Sequence, residues 1–363
     1  MARRGLIGMV FAALSALGCA AAPEVGATNE PDVRVEWIGH TVIPLGEDDR
    51  LGGLSDLTCG DGRWFAITDH PREPRLVELQ VEVDAAAGRV EAGIVGWSAI
   101  DAGAGDGESV VWLGNGRFAA GFESPGALAF LDEKGHLLGR PALPAEVAGS
   151  MRANRQLEAL AVREGTDHRR ELWVGIETAL TIDGPEASSQ EGALCRVLVM
   201  DAQTGAALRQ NAYRTLPAPV GLVGPVFNSL VSFAALDDGR VLALERSLEL
   251  IGGYGIALRV LSPTGAETDV TGMADLADDA SLVPLPTTTI FERRGLNTLG
   301  PGNVEGVAIG PAIDDEIGGR LLVLVSDDNF GREGQRGVLV IAMRLLIGGA
   351  TSTDAGPGPS APR

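Results

Sequence analysis

The feature that most restricts the fold of this chain is a short segment that occurs five times. Most copies begin with a polar or acidic residue beside a small one, continue through four or five apolar positions, turn, and run through a second apolar stretch to an acid. Three of the five turns contain the Asp-Gly or Asn-Gly step that favours a tight β-hairpin. The five copies span residues 53–69, 107–123, 156–177, 231–245 and 303–327.

Each copy is too short for two helices and too rich in β-branched and aromatic residues on both sides of its turn for a loop, which indicates a hairpin. The copies start about 50 to 75 residues apart, a spacing that suits four-stranded propeller blades. We therefore predict an all-β, single-domain β-propeller over residues 33–347, with five to seven blades and six expected. Because an open ring leaves sheet edges exposed, we expect a strand near residues 33–42 to complete the blade that contains residues 337–346.

Composition agrees with a globular all-β protein and excludes one class of partner. Of the 363 residues, 45% are hydrophobic and 21% are charged, and the 50 glycines and 20 prolines suit a fold with many turns. The 29 basic and 49 acidic side chains give a net charge of −20, which has the wrong sign for a nucleic-acid binder. Lys134 is the one lysine, so arginine must carry any contacts to anions.

The first residues are typical of an exported protein. Two arginines precede an apolar run over residues 5–17, and small residues follow, a pattern too short for a permanent membrane span. Residues 16–19 resemble a bacterial lipobox in which Cys19 would carry lipid, and the alternative is cleavage after residue 22 to give a secreted or periplasmic soluble protein. A lipid anchor would place the protein in the cell envelope, with no other contact to the membrane. The predicted segments are a lipoprotein-type signal over residues 1–22, a tether over 23–32 and a disordered tail over 348–363.

Acidic residues recur at one end of the predicted hairpins. In an antiparallel hairpin the start of the first strand and the end of the second are neighbours, and a propeller brings equivalent strand ends to one rim. The pattern therefore predicts a ring formed by Asp56 or Asp69, Glu108, Glu123, Glu158, Glu177, Glu245, Glu305 and Asp327. Carboxylates that lie close together raise one another's pKa unless a cation compensates them.

Calcium is the cation that this donor set favours, since it accepts carboxylate and amide oxygens. The predicted Ca²⁺ ligands are Glu158, Glu177, Glu305, Asp327, Asn154 and Asn303. Zinc is not expected, because no Cys/His ligand spacing occurs. The alternative for the same acids is structural, namely pairing with arginines or backbone amides of a neighbouring blade. Two further cysteines, Cys59 and Cys195, either form a disulfide or remain buried thiols.

Several of these segments resemble the motifs of one family. They are residues 154–161 (N-x-G-x-E-G-L-A), 241–246 (L-E-R), 303–308 (N-V-E-G-I-A), 326–330 (S-D-D-N-F), and 52–55 with 68–69 (G-G-L-S and S-D). On this basis the chain is similar to the esterase-like phytase family, the bacterial phytase-like proteins. The resemblance implies a propeller-like domain in an exported protein with esterase or phosphoesterase activity. Gln156 and Ala159 depart from the family, which tends to have glycine at both positions.

The chemistry that the residues predict is metal-assisted hydrolysis of a small-molecule ester or phosphoester by a monomer. No G-x-S-x-G, H-E-x-x-H or G-x-x-x-x-G-K-[ST] motif occurs, which disfavours serine-hydrolase, zincin and P-loop chemistry. A bound cation would polarise the substrate oxygen and a carboxylate would act as base. The predicted catalytic residues are Glu158, Glu305, Asp327, Asp69 and His70, and the predicted substrate-binding residues are Arg72, Arg246 and Arg332. Two alternatives stay open, a non-catalytic envelope-tethered binding or scaffold propeller and a sugar-lactone hydrolase.

Overall fold

Five four-stranded antiparallel sheets, each containing one of the repeated hairpins, form the described part of the chain. The computed structural model describes residues 32–45, 51–101, 105–123, 126–165, 167–220, 227–249, 253–331 and 336–348. The predicted signal segment with Cys19, nearly all of the predicted tether and tail, and Arg332 lie outside these ranges. Within these ranges, no helix combines the length and the apolar character that crossing a bilayer requires.

The sheets are the blades of a propeller, and the strands of each blade follow one another from the central channel outwards. Blade 1 comprises β2 (Leu54–Gly60), β3 (Arg63–Thr68), β4 (Arg75–Asp84) and β5 (Arg89–Ala99). Blade 2 comprises β6 (Gly107–Gly114), β7 (Arg117–Phe122), β8 (Ala127–Asp132) and β9 (Leu137–Gly139). Blade 3 comprises β10 (Leu157–Glu164), β11 (Arg170–Ile176), β12 (Leu194–Asp201) and β13 (Ala207–Arg214). Blade 4 comprises β14 (Phe227–Ala235), β15 (Val241–Glu249), β16 (Gly253–Leu261) and β17 (Thr287–Arg294). Blade 5 comprises β18 (Asn303–Ala312), β19 (Arg320–Asp327), β20 (Val338–Ile347) and β1 (Val33–Ile43).

The ring closes by the route that the sequence predicts. Strand β1 pairs antiparallel with β20, from Val33 opposite Ile347 to Ile43 opposite Val338, so the first described strand completes the last blade. The five repeated segments are the five inner hairpins. The blade number is five, within the predicted range of five to seven, and the expectation of six was wrong. Much of the extra length between the last two copies lies in the connection over residues 262–286 rather than in another blade.

Apolar packing between neighbouring blades holds the ring together. Each of the five interfaces contains one cluster of buried aliphatic and aromatic side chains. The inner strands therefore read as nearly continuous apolar runs, because both of their faces are covered by other blades. In blade 3, for example, Trp173 is fully buried in the cluster that also contains Phe233 of blade 4. At roughly 25 cal/mol per Å² of apolar surface, these interfaces dominate the stabilisation of the fold.

Short helical segments and thiols complete the description. A four-residue helix, α1 (Ala145–Ala148), lies between blades 2 and 3, and single 3₁₀ turns cover Leu296–Thr298 and Asn329–Gly331. Cys59 lies on β2 and Cys195 on β12, and both are free thiols. The disulfide alternative is therefore wrong. Of the two free thiols, Cys195 is buried as the other alternative predicts, whereas Cys59 is partly exposed.

A β-bulge interrupts the innermost strand of every blade at the same place. In blade 2, Gly107 pairs with Phe122 and Ser109 pairs with Gly121, which leaves Glu108 unpaired between them. The equivalent unpaired residues are Ser55, Glu108, Glu158, Val231 and Glu305. A bulge re-aims the side chain that it carries. Three of the five bulges carry glutamate. The bulges therefore re-aim the side chains of three acids that lie at the same level of the channel.

Candidate functional site

Two rings of side chains meet where the inner hairpins begin and end. The lower ring consists of the bulge residues of the five innermost strands. The upper ring is formed by the residue of each second strand that directly follows the partner of the residue before the bulge. These residues are Asp69, Glu123, Glu177, Arg246 and Asp327. Four of these five positions are acidic, and blade 4 alone supplies an arginine there. We call this end of the channel the acidic mouth; its seven carboxyl groups belong to Asp69, Glu108, Glu123, Glu158, Glu177, Glu305 and Asp327.

One side of the acidic mouth is neutralised by an arginine. Arg246 donates from Nη1 to Glu305 and, at 3.0 Å, to Asn303 Oδ1. The Asn303 amide in turn donates to Glu305 Oε1 and Asp327 Oδ2, both at 3.1 Å. All hydrogen-bonding atoms of the Asn303 side chain are thus engaged with protein. We call Arg246, Asn303, Glu305 and Asp327 the paired half of the mouth.

The other side of the mouth has carboxyl groups without such partners. Oxygens of Glu123, Glu158 and Glu177 lie within 4.8 Å of one another, and all three residues are buried. Within the described ranges, no donor reaches the carboxyl groups of Glu108 and Glu158, and Glu123 accepts one bond, from the Gln156 amide to Oε1 at 3.1 Å. We call Glu108, Glu123 and Glu158 the open half of the mouth.

Glu177 lies between the two halves and belongs to both. Its Oε1 accepts hydrogen bonds from Arg155 Nη1 at 2.6 Å and from Arg246 Nη2 at 3.3 Å. Both guanidinium groups therefore engage the same oxygen. Among the described residues, Glu177 Oε2 has no hydrogen-bond donor.

Burial and mutual repulsion shift the pKa values of the open half upwards. Desolvation is the main cause for Glu108 and Glu158, whose pKa values are well above the usual range, and neighbouring carboxylates add to it. Desolvation, then the charge of Glu177, raises the pKa of Glu123 to about 7. In the paired half, burial raises the pKa of Asp327 to about 6 against the hydrogen bonds that it accepts. The open half therefore needs either protons or a cation near neutral pH.

The donor set of the open half fits a divalent cation. Glu123, Glu158 and Glu177 together offer four oxygens without a hydrogen-bond donor among the described residues. Two oxygens that bind one Ca²⁺ at about 2.3–2.6 Å lie at most about 5 Å apart, so the observed separations are compatible with a shared ion. Each arginine of the mouth contacts an oxygen other than these four.

Hydrogen bonds cross the axis of the propeller next to the bulges. Asp56 of blade 1 accepts a hydrogen bond from Ser232 Oγ of blade 4 at 2.7 Å, across the axis, and one from Val110 N of blade 2 at 2.9 Å. Ser232 Oγ also accepts from Val307 N of blade 5 at 3.2 Å. Burial raises the pKa of Asp56 well above its usual value. Asp56 is therefore part of a belt that ties blades together and not, as one alternative held, a member of the rim.

Gly53 packs against two aspartates, Asp69 and Asp328, at one wall of the mouth. The Gly53 amide, at a φ of 68°, donates to Asp328 Oδ1 at 3.0 Å, and a Cβ on Gly53 would lie 1.8 Å from Asp69 Oδ1. Asp328 is buried and also accepts from the amides of Phe330 and Gly337 at 3.1 and 3.3 Å. The G-G-L-S and S-D-D-N-F segments are thus in direct contact. Asp328 orders the loop, while Asp69 and Asp327 contribute to the mouth.

The remaining predicted residues differ in position. His70 follows Asp69, and its Nδ1 accepts hydrogen bonds from the backbone amides of Arg72 and Glu73 at 3.4 and 3.0 Å. This arrangement is a turn, in which Arg72 is exposed. Asn154 is also exposed, in a turn with a φ of 54°, a conformation that asparagine adopts readily. The ligand role assigned to Asn154 stays a prediction.

Sequence reasoning placed one acid wrongly and missed two contributors. Glu245 lies at the interface of blades 3 and 4, where it accepts hydrogen bonds from Leu216 N at 2.9 Å and Arg259 Nη1 at 2.7 Å. Arg155 was overlooked as a cation of the mouth, although it precedes Glu158 by three residues in the same motif. The ring of Phe227 contacts both guanidinium groups, with Arg155 Cζ 4.9 Å and Arg246 Cζ 5.3 Å from its centroid. No pattern in the sequence marks Phe227. The catalytic and ligand roles assigned to the other residues remain predictions.

One family model matches most of this chain. The model described as "Phytase-like: Esterase-like activity of phytase" matches residues 49–330, which include all five inner hairpins. The chain belongs to this phytase-like family. The match covers every carboxyl group of the acidic mouth. No curated protein matches this phytase-like protein.

Solved structures resemble this phytase-like protein in fold. An endo-arabinase from Bacteroides thetaiotaomicron is 13% identical with a TM-score of 0.44, and the match covers 83% of this chain and 96% of that one. The GH43_1 enzyme from Xanthomonas citri is 10% identical with a TM-score of 0.45, covering 84% and 90%. The α-L-arabinofuranosidase PaAbf62A from Podospora anserina is 12% identical with a TM-score of 0.42, covering 86% and 98%. Likenesses of this degree carry no information about substrate.

Proposed function

We propose that this phytase-like protein is a divalent-cation-dependent esterase or phosphoesterase that acts at the acidic mouth. The observation that carries the proposal is the convergence of Glu123, Glu158 and Glu177 within 4.8 Å. Their four donor-free oxygens lie beside two fixed guanidinium groups, those of Arg155 and Arg246. Carboxylates next to arginines provide a cation site adjoining an anion site, which is the combination that hydrolysis of a charged ester requires.

Glu123, Glu158 and Glu177 would hold the cation, with Ca²⁺ as the ion that an all-oxygen donor set favours. When bound, such an ion polarises a phosphoryl or ester oxygen and makes a bound water more acidic. Glu108 adjoins these residues and, among the described residues, receives no hydrogen bond. Its carboxyl group is therefore available to exchange a proton with water or with the leaving group.

Arg246 and Arg155 would orient the anionic part of the substrate. Arginine is suited to this role because its planar donors match the geometry of phosphate or carboxylate oxygens. Asn303 and Asp327 keep Arg246 in place from the paired half. Because the belt through Asp56 crosses the axis, we expect the substrate to enter and the product to leave from the side of the mouth.

The test uses purified protein with aryl phosphate, aryl carboxylate and lactone substrates, with Ca²⁺ either added or removed by chelation. We expect Ca²⁺-dependent turnover that falls by about 100-fold or more in Glu158→Gln and Glu123→Gln, and falls also in Glu305→Gln and Asp327→Asn. Glu316→Gln is the control, because Glu316 is exposed and remote from the mouth. Turnover that is unaffected by chelation and by both open-half variants would overturn the assignment. Preference for the lactone would instead identify a sugar-lactone hydrolase.

A non-catalytic role is the second candidate, and the paired half favours it. Arg246 and Asn303 leave no hydrogen-bonding atom of Asn303 free for a ligand, as expected of a structural lock between blades. A binding or scaffold module predicts no turnover of any of these substrates but a melting temperature that falls on chelation. A melting temperature that is insensitive to chelation, together with absent turnover, would exclude both candidates.

We also propose that the protein acts in the cell envelope through a lipid on Cys19. Support comes from the lipobox-like residues 16–19 and the apolar run before them. Mass spectrometry of the mature protein from membranes tests this. A diacylglyceryl-modified Cys19 at the N-terminus is expected, whereas an unmodified terminus after residue 22 would show the soluble exported form.

A further inference from the structure

A separate cleft of about 400 Å³ lies between blades 2 and 3, at the end of the propeller away from the mouth. Its walls come from the turn between β6 and β7, the turn between β10 and β11, and the turn between β12 and β13. This volume falls within the range of about 300–1,000 Å³ that is usual for small-molecule sites. Nothing in the proposed chemistry of the mouth uses the cleft.

The charged groups that line this cleft are mostly basic, although the chain as a whole has a net charge of −20. They belong to Arg117, His168, Arg169, Arg170 and Asp201. The carboxylate of Asp201 is engaged in its own turn, where Oδ1 accepts from the amides of Gln203 and Thr204 at 3.1 and 2.7 Å. Three arginines against one aspartate make the lining a positive patch on an acidic protein.

Two of the basic groups have acidic partners at the turn between β10 and β11. His168 Nδ1 lies 2.7 Å from Glu164 Oε1, and Arg169 Nε lies 3.3 Å from Asp167 Oδ2. All four of these side chains are exposed, so each pair contributes little to stability. The positive charge that remains without compensation is that of the other two arginines.

Arg117 and Arg170 form no ion pair with any residue that the structure describes. Arg170 donates from Nη1 to the carbonyl oxygen of Leu113, a contact that joins blade 3 to blade 2 and leaves most donors of this guanidinium group unused. The guanidinium carbon of Arg117 lies 5.3 Å from the centre of the Phe130 ring, and this half-buried group makes no hydrogen bond to the described part of the chain. Both groups are therefore held in place by contacts that leave N–H donors available.

The two guanidinium groups lie on the same face of the hairpin formed by β6 and β7. Arg117 is paired with Gly114, and cross-strand partners point to the same face of a sheet. A Cβ on Gly114 would lie 3.6 Å from Arg170 Nη1, so Arg170 crosses the face from which Arg117 projects. Two neighbouring cations without a counter-charge repel each other, and a bound anion removes this repulsion.

We propose that this cleft binds a small, doubly charged oxyanion, either a phosphate monoester or a dicarboxylate. Guanidinium groups present donors in a planar fork that matches the oxygens of phosphate and carboxylate groups. Arg117 and Arg170 supply two positive charges, and Asn115 and Gln203 line the same cleft and can hydrogen-bond the organic part of the ligand. A neutral or cationic ligand would leave both guanidinium groups uncompensated.

The test titrates the full protein, freed of metal on a chelating resin, with inorganic phosphate and with succinate by isothermal calorimetry. We expect at least one of these anions to bind with a Kd in the millimolar range or tighter, and Arg117→Gln to bind it about tenfold more weakly or worse. Binding of phosphate alone would identify a phosphoryl ligand, and binding of succinate alone a dicarboxylate.

Arg293→Gln is the matched control for the loss of one positive charge. Arg293 is also half-buried, also lies over an aromatic ring, 4.2 Å from the centre of Trp37, and also forms no ion pair with a described residue, but it belongs to blade 4. If Arg117→Gln does not fold, Arg117→Lys takes its place, because lysine keeps the charge but lacks the planar fork. We expect anion binding by Arg117→Lys that is weaker than that of the unmodified protein.

Thermal unfolding provides a second readout that a structural role of Arg117 would not reproduce. Phosphate stabilises proteins generally by exclusion from their surface, and this effect is common to all variants. We expect a larger anion-dependent increase in Tm for the unmodified protein and Arg293→Gln than for Arg117→Gln.

The proposal is overturned if neither anion binds, if Arg117→Gln and Arg117→Lys bind as tightly as the unmodified protein, or if Arg293→Gln weakens binding equally. Turnover at the mouth should be unchanged in Arg117→Gln, and Glu158→Gln should retain anion binding at the cleft. This inference and the proposed function therefore fail separately.

Discussion

The two halves of the acidic mouth differ although they are built from equivalent positions of one repeat. In the paired half, Arg246 and Asn303 neutralise Glu305 and hold Asp327. In the open half, Glu108 and Glu158 have no donor among the described residues, and burial keeps their pKa values high. The difference shows that a repeated fold supplies positions, whereas a single exchange within the repeat supplies chemistry.

The exchange responsible is the arginine in blade 4. The other four blades have Asp69, Glu123, Glu177 and Asp327 where blade 4 has Arg246. Arg246 and Arg155 cannot compensate seven carboxyl groups, and among the described residues neither donates to Glu108, Glu123 or Glu158. The uncompensated charge therefore lies in the open half, where a bound metal ion gains most.

The largest effect is expected from replacing Arg246, the arginine of the paired half. Arg246→Met leaves Glu305 and Asn303 buried without their partner, and breaking such a buried pair costs about 3–5 kcal/mol of unfolding free energy. Denaturant titration measures this loss. Arg294→Met is the matched control, since that arginine pairs with Glu249 at the exposed surface and is worth about 0–1 kcal/mol. Equal losses in the two variants would contradict the distinction between the halves.

A steric change at the wall of the mouth should have the next largest effect. A methyl group on Gly53 would meet Asp69 Oδ1 at 1.8 Å, whereas one on Gly62 meets nothing within 4 Å. Both residues have positive φ, 68° and 75°, so both alanine variants carry a backbone cost of about 1 kcal/mol. We expect Gly53→Ala to lose about 2–3 kcal/mol more than Gly62→Ala in denaturant titrations. Similar losses would mean that Asp69 moves without cost.

The pH dependence of stability distinguishes the open half. The pKa of Glu123 is about 7 in the folded protein against an ordinary 4.5, so the folded state binds the proton more tightly than the unfolded state. Its contribution is fully present below about pH 4.5 and is lost as the pH rises through 7. In the presence of a chelator, the unfolding free energy should fall between pH 4.5 and 7. We expect Glu123→Gln to reduce this fall by on the order of 1–2 kcal/mol.

The control for that profile is an acid with the opposite shift. Hydrogen bonds from Arg344 lower the pKa of Asp315 to about 2, so its titration lies below the same pH window. Asp315→Asn should therefore leave the slope between pH 4.5 and 7 unchanged. A profile that Glu123→Gln does not flatten would contradict the shift of Glu123.

The smallest effect is expected where an aromatic ring supports both arginines of the mouth. Phe227→Leu removes the contacts to Arg155 and Arg246 and should cost about 0.5–1 kcal/mol. It should also raise KM for anionic substrates more than for neutral ones, because the guanidinium groups lose the ring contact that holds them in position. Trp37→Leu is the control, since Trp37 contacts Arg293 away from the mouth. A uniform change in KM would show that Phe227 acts on stability alone.

The site was predictable where local pattern determines it. Glu158, Glu177, Glu305 and Asp327 follow from strand ends that a hairpin brings together, and all four lie at the mouth. Glu245 ends a similar apolar run, yet it lies one residue before the position equivalent to Glu177 and faces Arg259 of its own blade and Tyr213 of the neighbouring blade 3. A shift of one residue along a strand reverses the face of the side chain, and only the register shows it.

The sequence by itself determined the class of fold, the five inner hairpins, the closure of β1 on β20 and the accumulation of acids at one end of the channel. These features follow from apolar periodicity and turn residues, which act over a few positions. The tertiary structure alone decided the number of blades, the bulges that aim the glutamates, and the division of the mouth into two halves. Those depend on contacts between residues far apart in the chain, such as Arg246 with Glu177 and Asp56 with Ser232, which no local pattern encodes.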